Sequence, residues 1–240
     1  ADLLDVEATV VMPAEAPETK VAATEGYEAT VVQHGHGYEE LREKADQLIA
    51  DQGYTMVHPF ADPDVIAGQG TLGLEVAEAV PDADLVLVPI GGGGLASGVA
   101  TAVSGLEDGP RVVGVETHGT AHAGAAIEQG EVVVSEEIDT IAEGIAAGRT
   151  EPYTLAHLQE RVDEVVSVTD AAAMNAMTLL AERAKTVAEP AGALPVAALL
   201  SGAVDAAGQQ VVAVVSGGNV DLEEFCQYVQ AGRAPAVADD

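Results

Sequence analysis

Nineteen residues without a charge, Leu85 to Val103 (LVLVPIGGGGLASGVATAV), constrain this chain more than any other stretch. That length suggests a membrane span. However, Pro89 and four consecutive glycines would strand backbone polar groups in lipid, so a span is not expected. A buried strand fits better, because LVLVPI is rich in β-branched residues and leucine and does not alternate with polar residues. Gly91, Gly92, Gly93 and Gly94 then remove the Cβ from four adjacent positions, which allows positive φ and close approach of the backbone to a ligand. Leu95 onward has the composition of a helix. Strand, glycine turn and helix N-terminus would aim unpaired amides and the positive end of the helix dipole at one point, which suits a phosphate. The competing reading is a flexible turn. One glycine would satisfy it, whereas four between two strongly patterned elements fit it poorly.

The chain has 240 residues, 48% of them hydrophobic, enough for one large domain or two smaller ones with a real core. Nine basic residues stand against forty acidic ones, a net charge of −31. Nucleic acid is excluded as an expected partner, since binding it requires Lys and Arg against phosphates. Scarce lysine, 3% aromatics and acid spread along the chain look like adaptation to high salt, where self-repulsion is screened. An acidic cation binder is the alternative, but clustered carboxylates at ligand spacing are missing. The lone Cys226 agrees with a reducing cytoplasm. The opening ADLLDVEATVVMP carries no basic leader, so no signal peptide is expected.

Strand and helix patterns alternate, which predicts parallel βαβ units. Strands are expected at Glu7–Met12, Glu28–Gln33, Tyr54–His58, Leu85–Ile90, Arg111–Thr117, Val162–Val168 and Gln209–Val215. Ala1–Asp5 reads as the tail of a helix. The Pro-, Gly- and Asp-rich segment Pro59–Gly70 is the expected domain crossing, with a helix starting near Thr71. A long helix is expected over Asp170–Ala188, capped by Asp170 and with Leu179, Leu180, Ala184 and Val187 on its apolar face. The tail APAVADD reads as loose. The expected division is a small domain over residues 1–62 and a large one over 63–240.

Five motifs occur in a telling order: GQGT (Gly68–Thr71), GGGGL (Gly91–Leu95), GVE (Gly114–Glu116), EPAGA (Glu189–Ala193) and SGGN (Ser216–Asn219). Together, over almost the whole chain, they resemble the threonine ammonia-lyase and serine racemase family, and HPFADPDVIAGQGTLGLEV resembles the ammonia-lyase branch more closely. The resemblance implies an α/β chain with the two-domain fold type II of pyridoxal phosphate enzymes, parallel sheets flanked by helices. It further implies an amino-acid substrate, a homo-oligomer, and dehydration and deamination of L-threonine or L-serine to a 2-oxo acid and ammonia. A racemase or sulfhydrylase of the same fold is the nearer rival. A non-catalytic anion- or nucleotide-binding piece is the rival of another class, with Glu116 closing a strand as its one supporting feature.

Carried over by position, the resemblance makes Gly91, Gly92, Gly93, Gly94 and the amide of Leu95 the cradle for the cofactor phosphate. Ser216 would meet the pyridine nitrogen; a neutral hydroxyl leaves that nitrogen largely unprotonated, which favours loss of a β-substituent. Glu189, Gly144 and Phe60 would line the pocket. Glu116, the Thr120 carbonyl and His122 stand where racemase-branch relatives bind a divalent cation, although a histidine replaces the acidic residue expected there. The family's Schiff-base lysine, in an aromatic-Lys-x-Arg-Gly-Ala motif, and its Ser-Ser-Gly-Asn-His loop have no match here. Lys20, Lys44 and Lys185 lack the motif's context and read as solvated side chains, so the sequence looks like a family member without its first quarter and is expected to be inactive as written. His34 and His36, in QHGHGYEE, lack a third metal ligand and read as a surface loop.

Overall fold

The structure is a computed structural model describing residues 1–106, 109–135 and 137–233, so the tail APAVADD lies outside the described residues. The chain forms two compact units, Ala1–Val57 and His58–Asp240.

The first unit runs β1 (Thr9–Met12), α1 (Glu18–Glu25), β2 (Thr30–Gln33) and α2 (Tyr38–Gln52), preceded by a short 3-10 turn at Asp2–Leu4 where the tail of a helix was expected. β1 and β2 pair in parallel with Thr9 opposite Thr30, as βαβ alternation requires. Gly53 closes α2 in the left-handed region at φ 74, its amide bonded to the Ile49 carbonyl. The strand expected at Tyr54–His58 does not form: this segment finds no neighbour in the two-stranded sheet, and Val57 is 73% exposed. A strand pattern without a partner strand has nowhere to place its backbone bonds.

The second unit contains α3 (Pro63–Ala79), β3 (Leu85–Pro89), α4 (Gly94–Ser104), β4 (Arg111–Thr117), α5 (Ala123–Gln129), α6 (Pro152–Arg161), β5 (Glu164–Val168), α7 (Asp170–Leu179), α8 (Pro190–Leu200), β6 (Val211–Ala213) and α9 (Leu222–Ala231). α3 begins eight positions before the expected Thr71. Asp62 caps it, with Oδ1 accepting from the amides of Asp64 (2.8 Å) and Val65 (3.2 Å), and Pro63 takes the first helical position. The glycines in this stretch are packing residues rather than breakers. A Cβ on Gly73 would lie 2.8 Å from the Val99 carbonyl oxygen, and one on Gly98 2.6 Å from the Gly70 amide, so α3 and α4 touch backbone to backbone.

The sheet order is β5-β4-β3-β6, all parallel. β3 is central and every residue in it is buried, as its unbroken apolar run predicts. Its side chains alternate between two cores. Leu85 and Leu87 join Val113, Val115, Met177 and Leu194 on one face, and Val86, Val88 and Ile90 join Val99, Val103 and Leu158 on the other. β6 is shorter than expected and only half-buried, because it is an edge strand.

The helix expected over Asp170–Ala188 divides. Thr169, not Asp170, is the cap, its hydroxyl accepting from the Ala172 amide at 3.1 Å. α7 stops at Leu179, widens into a π-type turn over Leu180–Ala184 and ends at Lys185, which is left-handed with φ 58. Its buried side is Ala173, Ala176, Met177 and Thr178; of the expected apolar face, Leu180 packs against the core, whereas Leu179 (37%), Ala184 and Val187 (57%) are exposed. Packing against α8 and α9 set the buried face, and small residues allowed it.

Candidate active site

The Ile90 amide donates to the Val115 carbonyl (2.8 Å), so sheet bonding holds the chain up to the first glycine. Gly91 to Gly94 are all buried. Of the four, only Gly93 has positive φ, 91°. The other three are required by close approach instead. A Cβ on Gly91 would lie 2.7 Å from Ile145 Cα, one on Gly92 would strike the Phe60 ring, and one on Gly94 would lie 2.9 Å from Phe60 Cα.

Among the described residues, the amides of Gly91, Gly92, Gly93, Gly94, Leu95 and Ala96 donate to no protein acceptor; the first amide of α4 that does is Ser97, to the Gly93 carbonyl at 2.9 Å. Six successive buried or half-buried donors without acceptors would cost roughly 1–3 kcal/mol each if left so. An anion at the helix N-terminus would offer such donors an acceptor, and the helix dipole favours its charge there.

Residues distant in sequence close around this loop. Ile145 belongs to a 3-10 turn, Glu143–Ile145. A Cβ on Gly144 would lie 2.9 Å from Ala191 Cβ and 3.0 Å from Glu189 Oε1. Glu189 Oε1 also lies against Gly217, and the Glu189 amide donates to the Gly217 carbonyl at 3.0 Å. The fold therefore links Phe60, the glycine loop, Gly144, Glu189 and the SGGN turn in one continuous series of contacts. Ser216 follows the edge strand β6 and is exposed, not at the end of a buried strand as expected. Sequence reasoning missed Asp170 as a tether. Its Oδ1 accepts from Thr140 Oγ1 (2.6 Å) and its Oδ2 from the Ile141 amide (2.9 Å), which anchors the segment leading to Gly144 and Ile145. Its place at the start of α7 made it look like a cap.

Glu116, Thr120 and His122 also come together, at the end of β4. Glu116 is buried, with Oε2 accepting from the amides of His122 (3.1 Å) and Ala123 (2.9 Å) and Oε1 from that of Gly124 (3.3 Å). Both of its oxygens are thus committed to the N-terminus of α5, the favourable place for a carboxylate. The His122 ring is fully buried, with Nδ1 against the Thr120 carbonyl oxygen and Nε2 3.1 Å from the Gly91 carbonyl oxygen. Among the described residues, no group of three or more His, Cys, Asp or Glu is placed to hold a metal ion. His34 and His36 are both exposed, and His36 faces Glu15 at 3.4 Å. Lys185, the lysine of this unit, is exposed and donates to the Glu182 carbonyl at 2.6 Å.

A sequence model of the family described as "Pyridoxal-phosphate dependent enzyme" matches residues 1–217. The chain belongs to that family. This pyridoxal-phosphate dependent family member is 42% identical over 236 residues to the L-threonine ammonia-lyase of Geobacter sulfurreducens, spanning 98% of this chain but only 59% of that relative's length. Among solved structures it resembles the T.th. threonine deaminase (38% identity, TM-score 0.81, 92% of this chain and 71% of that one). It also resembles maize serine racemase (31% identity, TM-score 0.88, 96% and 71%). The expected fold, α/β with the parallel sheets of fold type II, is therefore the fold of this protein. The family's cofactor carries a phosphate, and the unbonded amides of the glycine loop fit that group. Among the described residues, no helix is long and apolar enough to cross a membrane.

Proposed function

We propose that this protein is a pyridoxal phosphate-dependent ammonia-lyase that dehydrates and deaminates L-threonine, and L-serine as an analogue, to a 2-oxo acid and ammonia. The observation that carries the reading is the run of unbonded amides from Gly91 to Ala96 at the N-terminus of α4, joined through Phe60, Gly144 and Glu189 to Gly217. The 42% identity to an L-threonine ammonia-lyase supports the choice of reaction.

In this reading the amides of Gly91–Leu95 bind the cofactor phosphate, and Phe60, lying against Gly92 and Gly94, keeps water from that side of the loop. Ser216 would meet the ring nitrogen as a neutral partner, and Glu189, which lies against both Gly144 and Gly217, would keep the two walls of the pocket at one spacing. When bound, pyridoxal phosphate supplies the electron sink for loss of the Cα proton and the β-hydroxyl. Lys185 is directed at Glu182, so it supplies neither base nor covalent anchor for the cofactor. Lys44 donates to Gln47 Oε1 along the exposed face of α2. A polypeptide of these 240 residues alone is accordingly expected to release no 2-oxobutyrate from threonine.

The test uses the full-length protein in molar KCl with L-threonine, L-serine and pyridoxal phosphate, following 2-oxo acid by a coupled dehydrogenase. Turnover of threonine to 2-oxobutyrate supports the reading, and production of D-serine without 2-oxo acid overturns it. The likeness to maize serine racemase makes that second outcome the rival worth measuring.

We further propose a cytoplasmic homo-oligomer adapted to high salt. A net charge of −31 repels itself and any anionic cofactor at low ionic strength, whereas near 1 M salt the screening length is about 3 Å. The unfolding midpoint should rise by several degrees from 0.1 to 2 M KCl; a flat profile would remove the high-salt assignment.

A further inference from the structure

We infer that His122 is a positioning residue for the glycine loop, holding the Gly91 carbonyl so that the amide of Gly92 is turned toward the bound phosphate. The inference rests on the reading of Gly91–Leu95 as a phosphate cradle. Four glycines in a row can flip their peptide planes at little cost, so a cradle made of them needs something to fix which way the N–H groups point. Gly93 is fixed at its carbonyl by the Ser97 amide. Among the described residues, the Gly91–Gly92 peptide has one polar partner, across 31 positions of sequence: the ring Nε2 of His122 lies 3.1 Å from the Gly91 carbonyl oxygen. A carbonyl oxygen only accepts, so this bond forms when Nε2 carries a proton; Nδ1 faces a carbonyl oxygen as well, and both bonds form together only in a ring protonated on both nitrogens. In a trans peptide the carbonyl and the next N–H point in opposite directions. Tying the Gly91 oxygen to His122 therefore directs the Gly92 N–H away from the histidine.

The histidine is itself held. Its ring is fully buried, Nδ1 lies against the Thr120 carbonyl, and its own amide donates to Glu116, whose carboxylate also binds the amides of Ala123 and Gly124. A carboxylate, a helix N-terminus and an imidazole thus form a support behind one peptide of the loop. No residue of that support needs to touch the cofactor.

The experiment uses the full-length protein freed of cofactor and two non-covalent probes, pyridoxine 5′-phosphate and pyridoxine, whose affinity ratio isolates what the phosphate contributes. His122→Gln places a donor near Nε2 and retains the bond to Gly91. His122→Asn places its donor near Nδ1 and loses it. The wild type should bind the phosphate ester at least about tenfold tighter than the alcohol. The Asn variant should lose about tenfold of that ratio, the magnitude of one hydrogen bond, while the Gln variant keeps it within about threefold. An unchanged ratio in the Asn variant, or an equal loss for both probes in both variants, overturns the positioning role. A wild-type ratio near one overturns the cradle reading itself, and the inference with it. Should the Asn variant not fold, the wild type still decides: on adding the phosphate ester the Gly92 amide proton must move downfield, and a resonance that stays in place overturns the inference.

Discussion

Gly91–Gly94 follows β3, a strand with a neighbour on each side, and Ser216–Asn219 follows β6, a strand at the sheet's edge. In sequence the two turns look alike, each a glycine cluster closing a run of valines. In the structure the first is buried at every glycine, while Ser216, Gly218 and Asn219 of the second are exposed. The first turn also has a support, His122 on Gly91 and Ser97 on Gly93, whereas the second is held by the Glu189 amide on the Gly217 carbonyl. Burial converts unbonded amides from a neutral feature into a demand for a ligand, since an exposed amide bonds water and a buried one does not. The central turn is therefore the one that fits the proposed anion site, since its donors are buried and those of the edge turn are open to water.

The most severe challenge to this contrast is Gly92→Ala. The added methyl meets the Phe60 ring, so unfolding should become easier by about 2–3 kcal/mol and phosphate-ester affinity should be lost. A stable variant that still binds the ester would mean that the loop is not closely packed. Next in size is Glu116→Gln, which replaces a buried acceptor of three amides and should cost about 1–3 kcal/mol by calorimetry. Asp170→Ala releases Thr140 and Ile141 and should cost about 1–2 kcal/mol, with faster amide exchange over residues 140–146 and no change in exchange over α9. The smallest effect belongs to Ser216→Ala. An exposed hydroxyl that bonds to none of the described residues should change stability by less than about 0.5 kcal/mol when removed. A large loss there would show the edge turn to be as tightly built as the central one.

Much of this arrangement was legible in the residues. LVLVPI reads as a buried parallel strand because no half-exposed strand carries so unbroken an apolar run, and β3 is that strand. The glycine run reads as a loop open to an anion, and its amides are indeed unbonded. Other readings failed where partners at a distance decide the outcome. Tyr54–His58 has the residues of a strand but no neighbour to pair with. Asp62-Pro63 starts a helix inside a stretch that looked like punctuation, and the glycines within it allow two helices to touch.

By itself the sequence determined the strand–glycine–helix unit, the alternation that demands parallel sheets, and the net charge of −31, because each follows from local stereochemistry or from composition. Tertiary structure alone decided that β3 is central and β6 marginal. It also decided that Phe60 and Ile145 fill the space the glycines leave, that Asp170 ties down Thr140 and Ile141 rather than capping α7, and that the His122 ring lies against Gly91. Those roles depend on which surfaces meet across tens to more than a hundred residues, and a pattern of period two or 3.6 carries no record of the partner.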